Sequence, residues 1–242
     1  MKRIFVAALI TALLTGCSLK DNTGSPQETA TDSHVDFQAL TEENSDIFAW
    51  IHIPDTGIDY PVLQNQDGDD TFYVNHNVQK KPDEKGALYI EAANLRDMCD
   101  FNEIIHGASP ADGTMFASLT DFLDRKFFDE HQYIYVYMEG NALVYCIVTA
   151  YIRDDTRLLA QYDFSYAYGC REFIDEIYDG KSMTKNIRKG WESGLSPEHF
   201  LLTLSTVSPS YPGKQIVVVG CLVGDIAGKI DRYIDWSEPD SE

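Results

Sequence analysis

Short runs of apolar residues, some alternating with polar ones and some rich in β-branched and aromatic side chains, recur along the chain. Such runs predict strands. They fall at residues 50–53, 60–63, 87–91, 103–106, 133–138, 142–153, 200–207 and 215–223, with Pro, Gly, Asn and Asp between them. Short strands punctuated in this way are typical of a barrel, so the pattern predicts a mainly β fold built as a closed barrel of about eight strands.

Three further segments predict peripheral helices. Residues 115–128 place apolar side chains at i, i+3, i+4 and i+7, which is typical of a helix with one buried face. Residues 171–189 predict a second helical region, with Phe173, Ile174 and Ile177 on one stripe. Residues 37–50 predict one or two short helices as an N-terminal extension. With no internal repeat and no second boundary visible, residues 36–236 are expected to form one domain, followed by an acidic tail at residues 237–242.

The N-terminus has the pattern of an export signal. A basic start at residues 1–3 precedes an apolar run at residues 4–14, which is too short to span a membrane comfortably. The run ends in L-T-G-C at residues 14–17, the spacing of a bacterial lipoprotein signal in which Cys17 is acylated; the alternative is an ordinary secretory signal with a chance cysteine. Two acyl chains give stable attachment. The mature protein is expected on the outer face of the cytoplasmic membrane, with polar residues 18–35 as a flexible tether.

Composition excludes some partners. With 39 acidic and 19 basic residues, the chain has a formal net charge of −20. It therefore lacks the basic surface that nucleic acid requires, and no nucleic-acid partner is expected. The charge suits solubility or a cationic partner, such as an amine-bearing wall peptide.

The cysteines do not form a recognisable framework. Apart from Cys17, the chain has Cys99, Cys146, Cys170 and Cys221, and four cysteines allow three disulfide pairings. Cys146 and Cys221 lie in apolar runs where a free cysteine behaves as a small hydrophobic residue, so buried free thiols are favoured over disulfides. Cysteines and histidines show no metal-site spacing, and neither a metal nor a cofactor is expected.

Two of the predicted strands carry motifs of a known family. Residues 201–207 read L-L-T-L-S-T-V, and after a Pro/Gly turn residues 215–220 read Q-I-V-V-V-G. This resembles the paired strands of class B sortases, transpeptidases that cleave a sorting-signal peptide and join it to an amine. In that family the first strand ends in the nucleophilic cysteine and the second opens with an arginine over the oxyanion. Here Val207 and Gln215 stand at those positions, and Lys214 lies beside Gln215.

The family's third catalytic residue is a histidine in a Y-G-H-N-M-like stretch. Residues 105–110 read I-H-G-A-S-P, so Ala108 stands at the histidine position. The resemblance extends to residues 50–64, which are similar to the family's W-I-x-I-P-x-T-x-I-D-Y-P-V-x-Q segment, and it covers roughly residues 37–224. It implies a sortase-like barrel.

The resemblance implies a sortase-like fold that lacks the family's three catalytic groups. A sortase mechanism needs a thiolate nucleophile, a proton carrier and an oxyanion donor, each worth orders of magnitude in rate. Loss of all three predicts a catalytically degenerate surface lipoprotein of Gram-positive type that binds a sorting-signal-like peptide or a cell-wall or pilus protein, as an accessory to cell-wall anchoring or pilus assembly. The candidate groove comprises His106, Ser109, Thr206, Val207, Ser208, Lys214 and Gln215.

Two alternatives remain open. The first is an active sortase-type transpeptidase or peptidase with a relocated nucleophile, such as Ser208 or a thiol, and His106 as a displaced base. Cys221 is a poor candidate because six strand residues beyond Gln215 span about 20 Å, and acidic neighbours are expected to raise the pKa of Cys99. The second is a structural lipoprotein whose groove is closed by side chains.

Overall fold

The computed structural model describes residues 35–179, 184–207 and 209–238. The predicted signal, the predicted lipidation site Cys17 and the groove residue Ser208 therefore lie outside the described residues. So do most of the predicted tether and residues 239–242 of the predicted tail. Within the described ranges, no helix combines the length and apolarity that crossing a membrane would require.

Within these ranges, nine strands form a single sheet that closes on itself. They are β1 (Ile47–Ile53), β2 (Ile58–Leu63), β3 (Leu88–Tyr89), β4 (Asn102–His106), β5 (Tyr133–Met138), β6 (Asn141–Asp154), β7 (Asn186–Ile187), β8 (Leu201–Val207) and β9 (Lys214–Asp225). The order is β5-β1-β2-β3-β4-β8-β9-β6-β7, and β5 also pairs with β6. Eight strands therefore close a barrel, to which β7 is added. The predicted mainly β fold with a closed barrel is confirmed.

The pairing directions follow from the connections. The β2–β3 and β4–β8 pairs are parallel, and the other pairs are antiparallel. Parallel neighbours need long connections, and the one between β4 and β8 contains most of the helices. These are α2 (Arg125–Glu130), α3 (Leu158–Gln161), α4 (Ala167–Tyr178) and a 3-10 helix at Ala117–Leu123; α1 (Phe37–Glu43) and a 3-10 helix at Phe72–Val74 precede them.

Two apolar clusters lie on opposite faces of the β8–β9 region. Leu202 and Leu204 of β8 belong to the cluster inside the barrel. Leu201 belongs to a second cluster, in which the outer face of the sheet packs against Phe173 and Ile177 of α4. Because both faces are covered, β8 is buried from Leu201 to Thr206 and β9 from Gln215 to Cys221. The apolar residues that predicted these two strands therefore occur on both faces.

The helix predicted at residues 115–128 is interrupted. Asp124 is extended (φ −75°, ψ 128°), and its side chain accepts a hydrogen bond from the Phe127 amide at 2.9 Å. An N-cap aspartate ends one helical segment and begins the next. The apolar spacing was therefore correct, but it runs through a 3-10 helix and a separate α-helix.

The other two helical predictions were too long. The second region ends at Tyr178, and Asn186 pairs with Ala150 of β6 instead of continuing a helix; the Asn186 amide also donates to the carbonyls of Phe122 and Leu123 at 2.9 and 3.0 Å. At the N-terminus, α1 ends at Glu43, and residues 47–50 belong to β1. In both places, strand pairing overrides local helical spacing.

A carboxyl group is buried inside the barrel. Glu103 of β4 is fully buried; its Oε1 accepts a 3.3 Å hydrogen bond from the Asp100 amide, and its Oε2 has no hydrogen-bond partner among the described residues. Burial raises the pKa of Glu103 well above its usual value, and the nearby Asp100 carboxylate adds to this effect. The folded protein therefore holds the proton of Glu103 more tightly than the unfolded chain does.

We predict that Glu103→Gln makes stability less dependent on pH. Between the unfolded-state pKa of 4.5 and the raised folded-state pKa, the native protein binds more protons, so its free energy of unfolding falls as pH rises. An uncharged glutamine removes this slope. Urea denaturation from pH 4.5 to neutral pH should show the gap between variant and parent widening in favour of the variant. A constant gap would contradict the assignment.

Candidate active site

A cleft of about 450 Å³ lies where β4, β8 and β9 meet the segment that follows β6. It is lined by most of the residues that the sequence singled out: His106, Ala108, Ser109, Thr206, Val207 and Gln215. Val207 and Gln215 are direct partners in the β8–β9 ladder, and His106 is the partner of Ser205 across β4 and β8. Lys214 instead lines a neighbouring cavity of about 730 Å³ and pairs with Asp154.

Val207 presents a hydrocarbon side chain at the end of β8. It is 52% exposed, whereas the six preceding strand residues are buried. A valine has no group that can attack a carbonyl, and its exposure makes the cleft floor apolar. Its strand neighbours are less accessible: Ser205 and Thr206 are 3% and 2% exposed.

Gln215 has its polar atoms fully engaged. Its Oε1 accepts a hydrogen bond from Ser205 Oγ at 2.7 Å. Its Nε2 donates to the carbonyls of Asp154 at 3.2 Å and Thr156 at 2.9 Å. An amide nitrogen has two hydrogens, so neither is left for an oxyanion. Gln215 ties the end of β9 to the segment after β6.

The backbone around Ala108 is closely held. Gly107 donates to the carbonyl of Ser205, and the carbonyl of Ala108 accepts from the Phe116 amide at 2.9 Å. A Cβ on Gly107 would come within 2.3 Å of a Leu88 methyl carbon and 2.7 Å of the Phe116 ring. Only glycine fits there, and the next residue brings no more than a methyl group to the cleft.

His106 lies beside a buried carboxylate. Its ring stacks on Tyr89 at a centroid distance of 5.2 Å, and its Nε2 lies 3.2 Å from Glu91 Oε1 without hydrogen-bond alignment. The position of His106 in the sequence favoured a half-buried histidine with a hydrogen-bond partner. The side chain is 20% exposed, but its Nε2 has no hydrogen-bond partner among the described residues. No described hydroxyl or thiol forms a hydrogen bond with His106, so a nucleophile–base pair is not assembled here.

The sequence did not predict that Glu91 and Arg157 meet across the cleft. Arg157 contacts both carboxylate oxygens of Glu91, at 3.2 and 2.5 Å, and reaches Asp70 at 3.0 Å. Burial alone would raise the pKa of Glu91, but His106 and Arg157 outweigh it and hold the pKa at about 2. The Glu91 side chain is 7% exposed and that of Arg157 is 59% exposed. The buried Glu91 carboxylate therefore faces an exposed guanidinium, that of Arg157.

The guanidinium of a second arginine near the cleft, Arg153, is held by other residues of the protein. Arg153 is the ladder partner of Gln215. Its guanidinium binds Glu176 of α4 through Nε at 2.8 Å and Nη2 at 3.2 Å, and it also donates to the Thr156 carbonyl and the Gln161 side chain. Arg153 is 8% exposed. It anchors α4 to the sheet and has no donor directed at the cleft.

The four described cysteines are free thiols, and none lines the cleft. Cys146, Cys170 and Cys221 are buried, and Cys99 is half-buried. Burial raises the pKa of Cys170 to about 11 and that of Cys221 to about 12. Burial also raises the pKa of Cys99, with a further contribution from Asp97, in the direction predicted. Thiols with such pKa values are poor nucleophiles at neutral pH.

Comparison with known proteins shows what this chain is similar to. Residues 1–18 match the family model described as "Prokaryotic membrane lipoprotein lipid attachment site". Over 193 residues, the chain is 28% identical to Sortase B of Listeria monocytogenes, covering 76% of this chain and 72% of that one. The X-ray structure of Clostridium perfringens Sortase B matches with a TM-score of 0.66 and 27% identity, covering 78% of this chain and 100% of that one. A Staphylococcus aureus sortase B–substrate complex matches with a TM-score of 0.66 and 25% identity, covering 77% and 84%.

We predict that Gln215→Leu destabilises the fold by about 1–3 kcal/mol, because it leaves buried carbonyls and the Ser205 hydroxyl unpaired. Urea denaturation measures the change. Lys214→Gln is the matched control: this adjacent residue pairs with Asp154 in solvent, so little change is expected. Equal effects of the two substitutions would contradict the role assigned to Gln215.

Proposed function

This chain belongs to the class B sortase family, and on that premise we propose that it is a catalytically degenerate member whose cleft binds an extended peptide. The observation that carries the proposal is the state of Gln215, Val207 and Ala108. A hydrocarbon, a methyl group and a fully bonded amide occupy the positions where the family resemblance places a thiol, an imidazole and a guanidinium.

Peptide binding is supported by the cleft itself. It retains a volume of about 450 Å³ and has Val207 exposed on its floor. Side chains that filled the groove would favour the structural alternative, in which nothing binds. One relative has been solved as a sortase B–substrate complex, and the family resemblance implies a peptide as the class of ligand.

The lipoprotein attachment site associates the chain with a membrane. We infer that the domain projects from the outer face of the cytoplasmic membrane. The partner would then be a sorting-signal-like segment of a cell-wall or pilus protein, and the protein would act as an accessory to anchoring or assembly. The accessory role rests on the chemistry of the family and not on a feature of this cleft.

Relocated catalysis receives less support. Ser205 Oγ donates to Gln215, and Thr206 is buried. Ser109 lines the cleft but has no described hydrogen bond to His106. An acyl-transfer enzyme requires a nucleophile activated by a base within hydrogen-bond reach. The described residues that line the cleft provide no such pair; the hydrogen-bonded Ser196 and His199 lie outside it.

We predict binding without turnover. The full chain in a non-ionic detergent is incubated with a panel of sorting-signal peptides and an amine acceptor; intact-mass analysis follows cleavage and acyl adducts, and calorimetry follows binding. We expect unchanged peptides and a measurable binding isotherm. An acyl adduct that disappears when one Cys or Ser is replaced would overturn the proposal.

The matched variant for this assay is Val207→Cys. It places a thiol at the exposed end of β8, so the variant should react with an alkylating reagent at that position. The alkylated variant then tests whether blocking the floor of the cleft abolishes peptide binding. Unchanged binding would place the peptide elsewhere.

A further inference from the structure

The cleft has more carboxylates than cations. Four acidic side chains line it: Asp70, Glu84, Glu91 and Asp155. The two basic ones are Lys85, which pairs with Asp112, and Arg157, which is shared by Glu91 and Asp70. Among the described residues, Glu84 and Asp155 form no ion pair. The cleft is therefore negative within a chain whose net charge is already −20, and such a field favours cations.

The same cleft has exposed apolar surface and an unsatisfied hydroxyl. Val74 and Val207 are each 52% exposed. Thr206 also lines the cleft and is 2% exposed, and its Oγ1 has no hydrogen-bond partner among the described residues. Buried polar groups are normally satisfied. A bound peptide would cover Val74 and Val207 with an apolar side chain; the Thr206 hydroxyl is too deeply buried to contact it.

We propose that the ligand is an extended peptide in which a Lys or Arg side chain lies next to a small apolar side chain, and that its cation replaces Arg157 between Glu91 and Asp70. This inference rests on the proposed peptide-binding function and adds the chemical class of the peptide. In the absence of ligand, Arg157 then occupies the position that the cation of the ligand takes between Glu91 and Asp70.

The asymmetry of the Glu91–Arg157 pair supports this exchange. Glu91 is buried and also faces His106, whereas Arg157 extends from the segment after β6 and is mostly exposed. A buried carboxylate left without a partner is costly, so Glu91 needs a cation in both states. Arg157 can return to solvent when the ligand supplies one.

The test compares three blocked peptides of equal length with cores Lys-Val-Lys, Gln-Val-Gln and Glu-Val-Glu, bound to the full chain in non-ionic detergent. The Lys peptide should bind about tenfold more tightly than the Gln peptide at low salt, and the Glu peptide should bind least. Glu91→Gln should remove this preference without weakening binding of the Gln peptide. Arg157→Gln should strengthen binding of the Lys peptide, whereas Arg171→Gln, which alters an exposed ion pair with Glu238, should not.

The outcomes separate the two proposals. If none of the peptides binds, including the neutral one, the proposed peptide-binding function fails. If the Lys and Gln peptides bind equally, peptide binding stands and the cation inference is overturned. Loss of Lys-peptide binding in Arg157→Gln would show that Arg157 holds the ligand and would also overturn the inference that the cation of the ligand replaces it.

A separate observation concerns two thiols on the far part of the β6–β9 ladder. Cys146 and Cys221 are free thiols in this structure and direct partners in register. Opposed residues in an antiparallel pair share one face of the sheet, with Cα atoms about 4.5–5.5 Å apart. Disulfides join Cα atoms about 4.4–6.8 Å apart. The two residues are 9% and 0% exposed, so a bond between them would be shielded once the fold is complete.

We propose, independently of the cleft, that Cys146 and Cys221 become joined by a disulfide when the exported chain folds under oxidising conditions. The oxidant is a second disulfide, either a small molecule or a protein. One thiolate attacks it to give a mixed disulfide and release a thiol. The other cysteine then displaces the second thiol, so the new S–S bond forms as the old one breaks and both hydrogens end on the oxidant.

The test uses full chain exported by bacterial cells and extracted from their membranes. Free thiols are alkylated in denaturant, and the chain is digested without reduction. We expect one linked peptide pair containing Cys146 and Cys221, alkylated Cys99 and Cys170, and a melting temperature that falls after reduction. Cys170→Ala should retain the bridge and Cys221→Val should lose it. Alkylation of both partners without reductant, or a bridge to Cys99 or Cys170, would overturn the proposal.

Discussion

The β8–β9 ladder is the interaction on which both the core and the cleft depend. β8 pairs with β4 on one side and with β9 on the other, and β9 continues the sheet to β6. The two strands present apolar side chains to the barrel interior and to the cluster under α4. Their register also sets Val207 opposite Gln215 at the cleft. A slip of one residue would exchange the faces of every side chain, so core packing enforces the geometry of the cleft.

This coupling explains how a cleft can persist with Val207, Ala108 and Gln215 at the positions where the family resemblance places reactive groups. The ladder is held by main-chain hydrogen bonds and apolar packing, and neither requires a thiol, an imidazole or a guanidinium at the strand ends. Gln215 even adds a structural role, since its amide connects β9 to the segment after β6. Arg153 and Glu176 then join that region to α4. The polar groups near the cleft thus support the scaffold.

The strands were predictable because their apolar runs are local and the signal is repeated at many positions. Strand β7 was not, since Asn186 and Ile187 carry no such run and are recruited by pairing with β6. The helix break at Asp124 was available in principle as an N-cap residue inside an apolar pattern. The contact of Glu91 with Arg157 spans 66 positions and exists only because the barrel closes. Spacing along the chain contains no signal for a contact of that kind.

The family resemblance identified the positions of Ala108, Val207 and Gln215 as the candidate site. The structure shows which interactions the side chains at and around these positions make. From sequence, Gln215 was a weaker donor in place of an arginine; in the structure it has no free donor at all. The sequence did not predict an anion in the groove; in the structure the groove contains a buried anion, Glu91, with Arg157 as its exposed partner. A cleft without reactive groups is not inert, because its charges still select what can enter. The selection proposed for this cleft acts through Glu91, a buried carboxylate whose partner Arg157 is mostly exposed.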